Sequence, residues 1–135
     1  MDKHSALVAD VSGAATTSGR NLDQWTDNGA ANQNWSFVPV GESGYKVVSR
    51  NSPMSLDVSG ASTADGANIV QATDTSAADQ HWTLIDTGSG YYKIKNVNSG
   101  KLLDVSGAST SAGAQLVQTT DTSADSQLWK VVNVD

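Results

Sequence analysis

A motif that recurs at a spacing of 47 residues constrains this chain more than any other feature. Asp-Val-Ser-Gly-Ala begins each copy, at positions 10, 57 and 104, and Gln-x-Trp ends each copy, at positions 33, 80 and 127. Over the 26 positions from the Asp to the Trp, the second and third copies agree at 18 and the first and second at 15. Agreement at this level without a gap identifies a threefold internal repeat.

Length and charge restrict the classes of function. A chain of 135 residues has the length of one domain with its own core. Its net charge of −6 does not suit binding to nucleic acid or to an anionic membrane. No apolar run is long enough to enter a membrane as a helix, and the first residues lack the apolar segment of a signal peptide. We leave the cellular location open between the cytosol and a module of a secreted protein.

The spacing of apolar residues predicts an all-β protein. Short runs of Val, Ile, Leu and Tyr alternate with Gly, Ser, Thr, Asn and Asp, which is typical of many short strands. In the third copy the pattern predicts strands over 91–96, 101–105, 114–119 and 127–132. Three such units give about twelve strands, and closing them around an axis removes the sheet edges. The expected fold is therefore a β-trefoil with pseudo-threefold symmetry.

We expect one β-trefoil domain over 1–135, with repeats at 1–41, 42–88 and 89–135. The first repeat lacks six residues that match 42–47, the start of its first strand. A frayed N-terminus is the expected result. Three layers of recurring residues are expected to form the core: Trp35, Trp82 and Trp129; Leu22, Ile69 and Leu116; and Ala9, Leu56 and Leu103.

The Gln-x-Trp that ends each repeat, with Leu-Asp-Val-Ser-Gly upstream, resembles the ricin B-type lectins. The likeness is strongest to the bacterial family-13 carbohydrate-binding modules and covers essentially the whole chain. It implies a β-trefoil that binds a mono- or oligosaccharide, galactose-like or a pentose, in up to three shallow sites. We also expect a monomer without catalysis, metal or cofactor. Many members carry a disulfide in each repeat, whereas this chain has no cysteine.

The resemblance implies one complete sugar site, in the first repeat. The positions that bind sugar in the family hold Asp10, Trp25, Asn32 and Gln33 here. These residue types suit the ligand on chemical grounds. A carboxylate accepts bonds from two hydroxyls, a primary amide both donates and accepts, and an exposed indole covers the C–H face of a sugar.

Trp25 is set apart because it does not recur. The matching positions in the other repeats hold Ala72 and Thr119, whereas a Trp needed for packing is expected in every repeat, as Trp35 is. We therefore interpret Trp25 as an exposed binding residue. The alternative is that it fills a gap left by the short first strand.

The other two repeats hold incomplete versions of this site, which we expect to be weak or inactive. The second has Ala72 in place of the aromatic residue, and the third has Thr119 and Ser126 in place of the aromatic residue and the Asn. Their recurring Asp and Gln residues can instead shape turns and bond the backbone, and both interpretations stay open. The weaker candidates are Asp57, Asp79 and Gln80, Asp104 and Gln127, and Asp23 beside the first site.

Asp23 is a special case because it stands where the other repeats have Val70 and Val117. It either adds a second carboxylate to the pocket or faces solvent.

The sequence gives little support for a catalytic function, since no catalytic motif is present and the two histidines do not match in the repeat register. Two alternatives to sugar binding remain: a scaffold with decayed sites that binds or inhibits a protein, and a hydrolase with a converging pair of carboxylates.

Overall fold

The computed structural model describes residues 1–132, apart from the side chain of Ser43. Its strands are β1 Val8–Val11, β2 Leu22–Trp25, β3 Trp35–Pro39, β4 Tyr45–Ser49, β5 Ser55–Val58, β6 Ile69–Ala72, β7 Trp82–Asp86, β8 Tyr91–Asn96, β9 Leu102–Val105, β10 Leu116–Thr119 and β11 Trp129–Lys130. The helices are short 3₁₀ turns at Ser12–Ala14, Ala31–Gln33, Gly41–Ser43, Ser59–Ala61, Ala78–Gln80, Ser106–Ala108 and Asp125–Gln127. None of these described helices is long and apolar enough to cross a membrane.

Each repeat contributes one antiparallel hairpin to a cap, namely β1 with β2, β5 with β6 and β9 with β10. Single bridges join the three hairpins in a ring, from Asn21 to Val70, from Asn68 to Val117 and from Gln115 back to Asp23. The remaining strands pair as β3 with β4 and β7 with β8, and β4 with β7 and β8 with β11 connect them into a barrel. A barrel sealed by three hairpins at one end is the predicted β-trefoil.

The seam between the chain's start and end departs from the prediction. Eleven strands form among the described residues instead of about twelve, because the first strand is reduced to a bridge between Asp2 and Trp129. The predicted strand over 127–132 shortens to Trp129–Lys130 because residues 125–127 form a 3₁₀ turn. The expected fraying is wrong, since Met1 and Lys130 exchange main-chain hydrogen bonds of 2.8 and 2.7 Å.

The recurring tryptophans take one orientation but differ in burial. Their indole N–H groups donate to the carbonyls of Ala9, Leu56 and Leu103 at 3.2, 3.0 and 3.0 Å. Trp82 and Trp129 are 0% and 3% exposed, whereas Trp35 is only partly buried. Tyr45 pairs with Trp82 and Tyr92 with Trp129, but the equivalent partner of Trp35 falls before Met1. Trp82 and Trp129 thus lie in the core as predicted, and Trp35 packs against it while only partly buried.

A cavity of about 270 Å³ lies along the barrel, lined by Trp35, Ala9, Leu56 and Leu103 among others. Ala9 occupies the position that the other two repeats fill with a leucine. Interiors are close-packed, so a shortage of side-chain volume at one of three equivalent positions leaves empty space. Ala9 contributes to the cavity, and Met1 and Val131 at the shortened first strand also line it.

Three fully buried glutamines, which the sequence prediction does not include, tie the repeats together. The side-chain amide of Gln71 donates to the carbonyls of Ala15 and Thr17 in the preceding repeat, at 3.0 and 2.9 Å. Gln118 bonds the loop of the second repeat in the same way, and Gln24 bonds that of the third. The accepting oxygens take hydroxyl bonds from Ser52, Ser99 and Ser5. Each repeat thereby fixes the loop of its neighbour, in a closed cycle.

Candidate functional site

Asp10 lies near the end of β1, just before a sharp turn at Ser12–Ala14. Gly13 has a φ of +67°, a conformation that glycine adopts without steric cost. The same turn follows Asp57 and Asp104, with the glycine at +64° and +63°. The recurring Asp-Val-Ser-Gly-Ala therefore encodes a strand that ends abruptly after its carboxylate.

An amide pair holds the Asp10 carboxylate from the opposite side. The 3₁₀ turn at Ala31–Gln33 presents two consecutive amides, and both are buried. Asn32 Nδ2 donates to Oδ1 of Asp10 at 2.7 Å, and Gln33 Nε2 donates to Oδ2 at 2.9 Å. Burial raises the pKa of Asp10, and the two amide bonds oppose that rise. The carboxylate is thus fixed in position with one acceptor site left on each oxygen.

The two amides differ in what they leave for a ligand. Gln33 uses Nε2 for Asp10 and for the carbonyl of Thr26 at 3.0 Å, and its oxygen accepts from Asn28 N–H. It therefore positions other groups and offers no free donor. Asn32 uses Nδ2 for Asp10 and for the Val11 carbonyl, but its oxygen accepts from no group in the described part of the chain. Asn32 can accept a hydroxyl proton.

Trp25 ends β2 opposite Val8, and 44% of its surface is exposed. It is the one tryptophan among the large apolar residues that are exposed in the described part of the chain. The indole lies beside the loop of the third repeat, because a methyl carbon placed on Gly113 would stand 3.5 Å from Cζ3. This loop is missing from the predicted site.

Asp23 brings a second carboxyl next to the first. It pairs with Asp10 across β1 and β2, and it is partly buried. Its Oδ1 is buried and has no hydrogen-bond partner in the described structure. Burial, followed by the charge of Asp10, raises the pKa of Asp23 to about 6. Asp23 is therefore partly buried beside Asp10 and does not lie in open solvent.

The second repeat arranges its carboxylate differently. Oδ1 of Asp57 accepts a hydrogen bond from the N–H of Val58 at 2.7 Å, whereas Asp10 makes no equivalent bond with Val11. Gln80 donates to its other oxygen at 3.1 Å. Asp79, which replaces the Asn of the first repeat, hydrogen-bonds Asp57 with a carboxyl. Burial and that contact raise the pKa of Asp57 to about 7. No aromatic residue flanks these two carboxyls, because the position of Trp25 holds Ala72.

In the third repeat the carboxylate accepts hydrogen bonds from groups other than those that bond Asp10. Asp104 accepts from the N–H of Val105 at 2.7 Å and from the hydroxyl of Thr119 at 2.6 Å. Gln127 donates to the same hydroxyl at 2.8 Å instead of to Asp104. Thr119 therefore hydrogen-bonds the Asp104 carboxylate, whereas the equivalent residue of the first repeat is the exposed Trp25.

Two pairs of carboxyls lie side by side, Asp10 with Asp23 and Asp57 with Asp79. The two carboxyls of a glycosidase stand at least about 5 Å apart, on opposite sides of the bond to be cleaved. The contact between Asp57 and Asp79 is closer than that separation. Within the residues described, no group of three or more His, Asp or Glu side chains is arranged to hold a metal ion.

Solved structures resemble the chain over nearly its full length. The designed threefold-symmetric protein ThreeFoil is 42% identical, with a TM-score of 0.98, and the match covers 99% of this chain and 96% of that one. An exo-β-1,3-galactanase from Clostridium thermocellum is 39% identical, with a TM-score of 0.97 over 99% of this chain. That match spans only 29% of the galactanase.

A ricin B-like lectin from Macrolepiota procera, solved in complex with lactose, shares the fold at 22% identity and a TM-score of 0.82. The match covers 96% of this chain and 89% of the lectin. No curated protein sequence matches the chain. The family model for ricin-type beta-trefoil lectin domain-like proteins matches residues 1–72 and 78–135. The chain belongs to the ricin-type β-trefoil lectin family.

Proposed function

We propose that residues 1–135 form a single domain that binds a galactose-like or pentose sugar without altering it. The site is formed by Asp10, Trp25 and Asn32, with Gln33 as a positioning residue. The observation that carries this proposal is the coincidence, in one repeat, of an exposed indole with a carboxylate that two amides hold. The 39% identity to part of a galactanase supports a galactose-like ligand.

The chemistry of these side chains supports a sugar as the ligand. The exposed indole offers a flat apolar surface to the C–H face of the ring. At the edge of the ring, the Asp10 oxygens and the Asn32 oxygen accept hydroxyl protons, and bonds to a charged acceptor are the stronger ones. Water competes for each of these groups, so a single shallow site binds weakly. Avidity or attachment to an enzyme then supplies useful binding.

The second and third repeats support the proposal by contrast. In the second repeat the carboxyl of Asp79 replaces the amide of Asn32, and in the third repeat the hydroxyl of Thr119 bonds Asp104 at the position of Trp25. Neither repeat has an aromatic platform. Each missing contact costs on the order of 1–3 kcal/mol of binding free energy. We propose that these two sites contribute no measurable affinity.

The proposal is tested by titrating galactose, lactose, xylose and arabinose into the wild type and into Trp25→Ala. Because Trp25 is itself the fluorescent reporter, binding to the variant is measured by calorimetry. We expect a sugar-dependent signal in the wild type and a loss of binding in Trp25→Ala, with thermal unfolding unchanged.

Asp10→Asn and Asp104→Asn form a matched pair, since they make the same change at equivalent positions of two repeats. The first is expected to abolish binding, and the second to leave it unchanged. If no sugar binds the wild type, the proposal fails and a protein-binding scaffold becomes the better hypothesis. Equal losses in the two Asn variants would mean that the third repeat contributes to binding as much as the first, which contradicts a single site.

A further inference from the structure

The loop over residues 109–113 of the third repeat lies against Trp25 of the first repeat. Main-chain bonds fix this contact, since the N–H of Gly113 donates to the carbonyl of Gln24 at 2.7 Å. The side chain of Gln24 donates to two further carbonyls of the loop, at 2.9 and 2.8 Å. The benzene edge of the indole therefore meets a fixed surface that a neighbouring repeat supplies.

The equivalent junctions in the rest of the molecule are closed by a polar side chain. Between the first and second repeats, the hydroxyl of Ser18 accepts from the N–H of Thr73 at 3.2 Å. Between the second and third repeats, the carboxylate of Asp65 accepts from the N–H of Thr120 at 2.6 Å. It also accepts from the hydroxyl of Thr120 at 2.9 Å. Each junction thus satisfies its own main-chain donor.

The junction beside Trp25 lacks this closure. Ala112 stands at the position of Ser18 and Asp65 and has no side-chain acceptor. The main-chain N–H and the hydroxyl of Thr26, the groups equivalent to those bonded at Thr73 and Thr120, have no partner in the described structure. Thr26 is exposed, but its carbonyl is held by Gln33, so its position is fixed relative to the main site.

We propose that the first-repeat site continues across this junction and binds the second unit of an oligosaccharide. The first unit stacks on Trp25 beside Asp10, and the next unit lies over Ala112 and Gly113. A hydroxyl of the second unit accepts the N–H of Thr26 in place of the missing side chain. The ligand class is a neutral disaccharide or longer chain. This inference rests on the proposed sugar binding at Trp25.

The test compares disaccharides with their monosaccharides by calorimetry, using lactose and β-1,3-galactobiose against galactose, and xylobiose against xylose. We expect the wild type to bind at least one disaccharide about fivefold more tightly than its monosaccharide, the value of one added hydrogen bond. Ala112→Asp copies the closure seen at Asp65. It is expected to remove that advantage and to leave the affinity for the monosaccharide unchanged.

Three controls define the result. Thr110→Asp places the same charge in the same exposed loop, away from Thr26, and is expected to keep the advantage. Ala112→Ser copies Ser18 and is expected to reduce it. Asp65→Ala opens a junction that has no Trp and is expected to change nothing.

The outcomes separate the two proposals. If the wild type binds monosaccharides through Trp25 but gains nothing from a second unit, the inference is overturned and the proposed function stands. The same holds if Ala112→Asp keeps the full advantage. If no mono- or disaccharide binds at all, both proposals fail.

Discussion

Asn32 donates its side-chain amide to Oδ1 of Asp10 at 2.7 Å, whereas the residue equivalent to Asn32 in the second repeat brings a carboxyl to the same place. The equivalent carboxylates therefore have different neighbours. In the first repeat an amide donates a hydrogen bond to Asp10, and in the second repeat another carboxyl contacts Asp57. This difference links the sugar site to the pH dependence of folding.

We expect Asp79→Asn to stabilise the protein at neutral pH. The folded-state pKa of Asp57 is raised from its ordinary 3.8 to about 7. A raised pKa means that the folded state binds the proton more tightly than the unfolded state, so stability falls as the pH rises from about 4 to about 7. Burial, the larger cause of the raised pKa, is unchanged by the substitution, but the new amide would donate to Asp57 and remove the part of the loss that Asp79 causes, with a gain of about 2 kcal/mol at pH 8.

Chemical denaturation of Asp79→Asn at pH 4 and pH 8 measures this effect. Glu42→Gln, which removes a charge from an exposed turn, is the matched control and is expected to show no gain that depends on pH. An equal gain for Asp79→Asn at both pH values would contradict the explanation.

Asp23→Val tests the second raised carboxyl. The pKa of Asp23 is about 6 in the folded state, so its ionisation destabilises the fold as the pH rises from about 4 through 6. Valine occupies the equivalent positions 70 and 117 and has no charge to bury. We expect the variant to gain stability over the wild type across that pH interval and to keep the gain at pH 8. Thermal unfolding across the pH range measures it, and a gain already complete at pH 4 would point to packing instead.

Ala9→Leu is expected to stabilise the fold by about 1 kcal/mol, because the added methyl groups enter the cavity beside Leu56 and Leu103. Leu103→Ala makes the reverse change at an equivalent position and is expected to cost about 2–5 kcal/mol. Denaturant unfolding measures both variants. A loss of stability in Ala9→Leu would mean that the cavity is too narrow at Ala9 to accept the side chain.

Gln71→Met is expected to destabilise the protein by about 3 kcal/mol, since it keeps the shape of the side chain but leaves buried polar groups unpaired. The groups that lose a partner are the carbonyls of Ala15 and Thr17 and the hydroxyl of Ser52. Asn68→Leu changes an exposed amide and serves as the control, with an expected effect below about 0.5 kcal/mol. Equal stability of the two variants would mean that water replaces the glutamine.

The repeat alone was enough to predict the fold, because an unbroken spacing of 47 residues allows few ways to bury three equivalent apolar faces. The exposure of Trp25 also followed from the repeat, since a residue that only one copy carries does not belong to the shared core. The side-chain orientation of Asp10 did not follow. It depends on whether residue 32 donates or accepts, and this is a contact between two elements that are distant in sequence.

The buried glutamines show a different limit. Gln24, Gln71 and Gln118 recur at the same spacing as the tryptophans, but only recurring apolar residues were expected in the core. Only the fold shows that their amides reach into the loop of another repeat. The partial exposure of Trp35 also did not follow from the repeat, in which Trp35 matches the buried Trp82 and Trp129.

Because the glutamine contacts form a closed cycle, each repeat has a bonded neighbour on both sides. In a solenoid each repeat touches only its neighbours, and the array can unravel from either end. Here the loop of the first repeat is held by the second, that of the second by the third, and that of the third by the first. Opening any repeat removes partners on both sides at once, so melting is cooperative over the whole chain. Met1 and Lys130 are already hydrogen-bonded, so a circular permutant that joins the ends and opens elsewhere keeps the same ring.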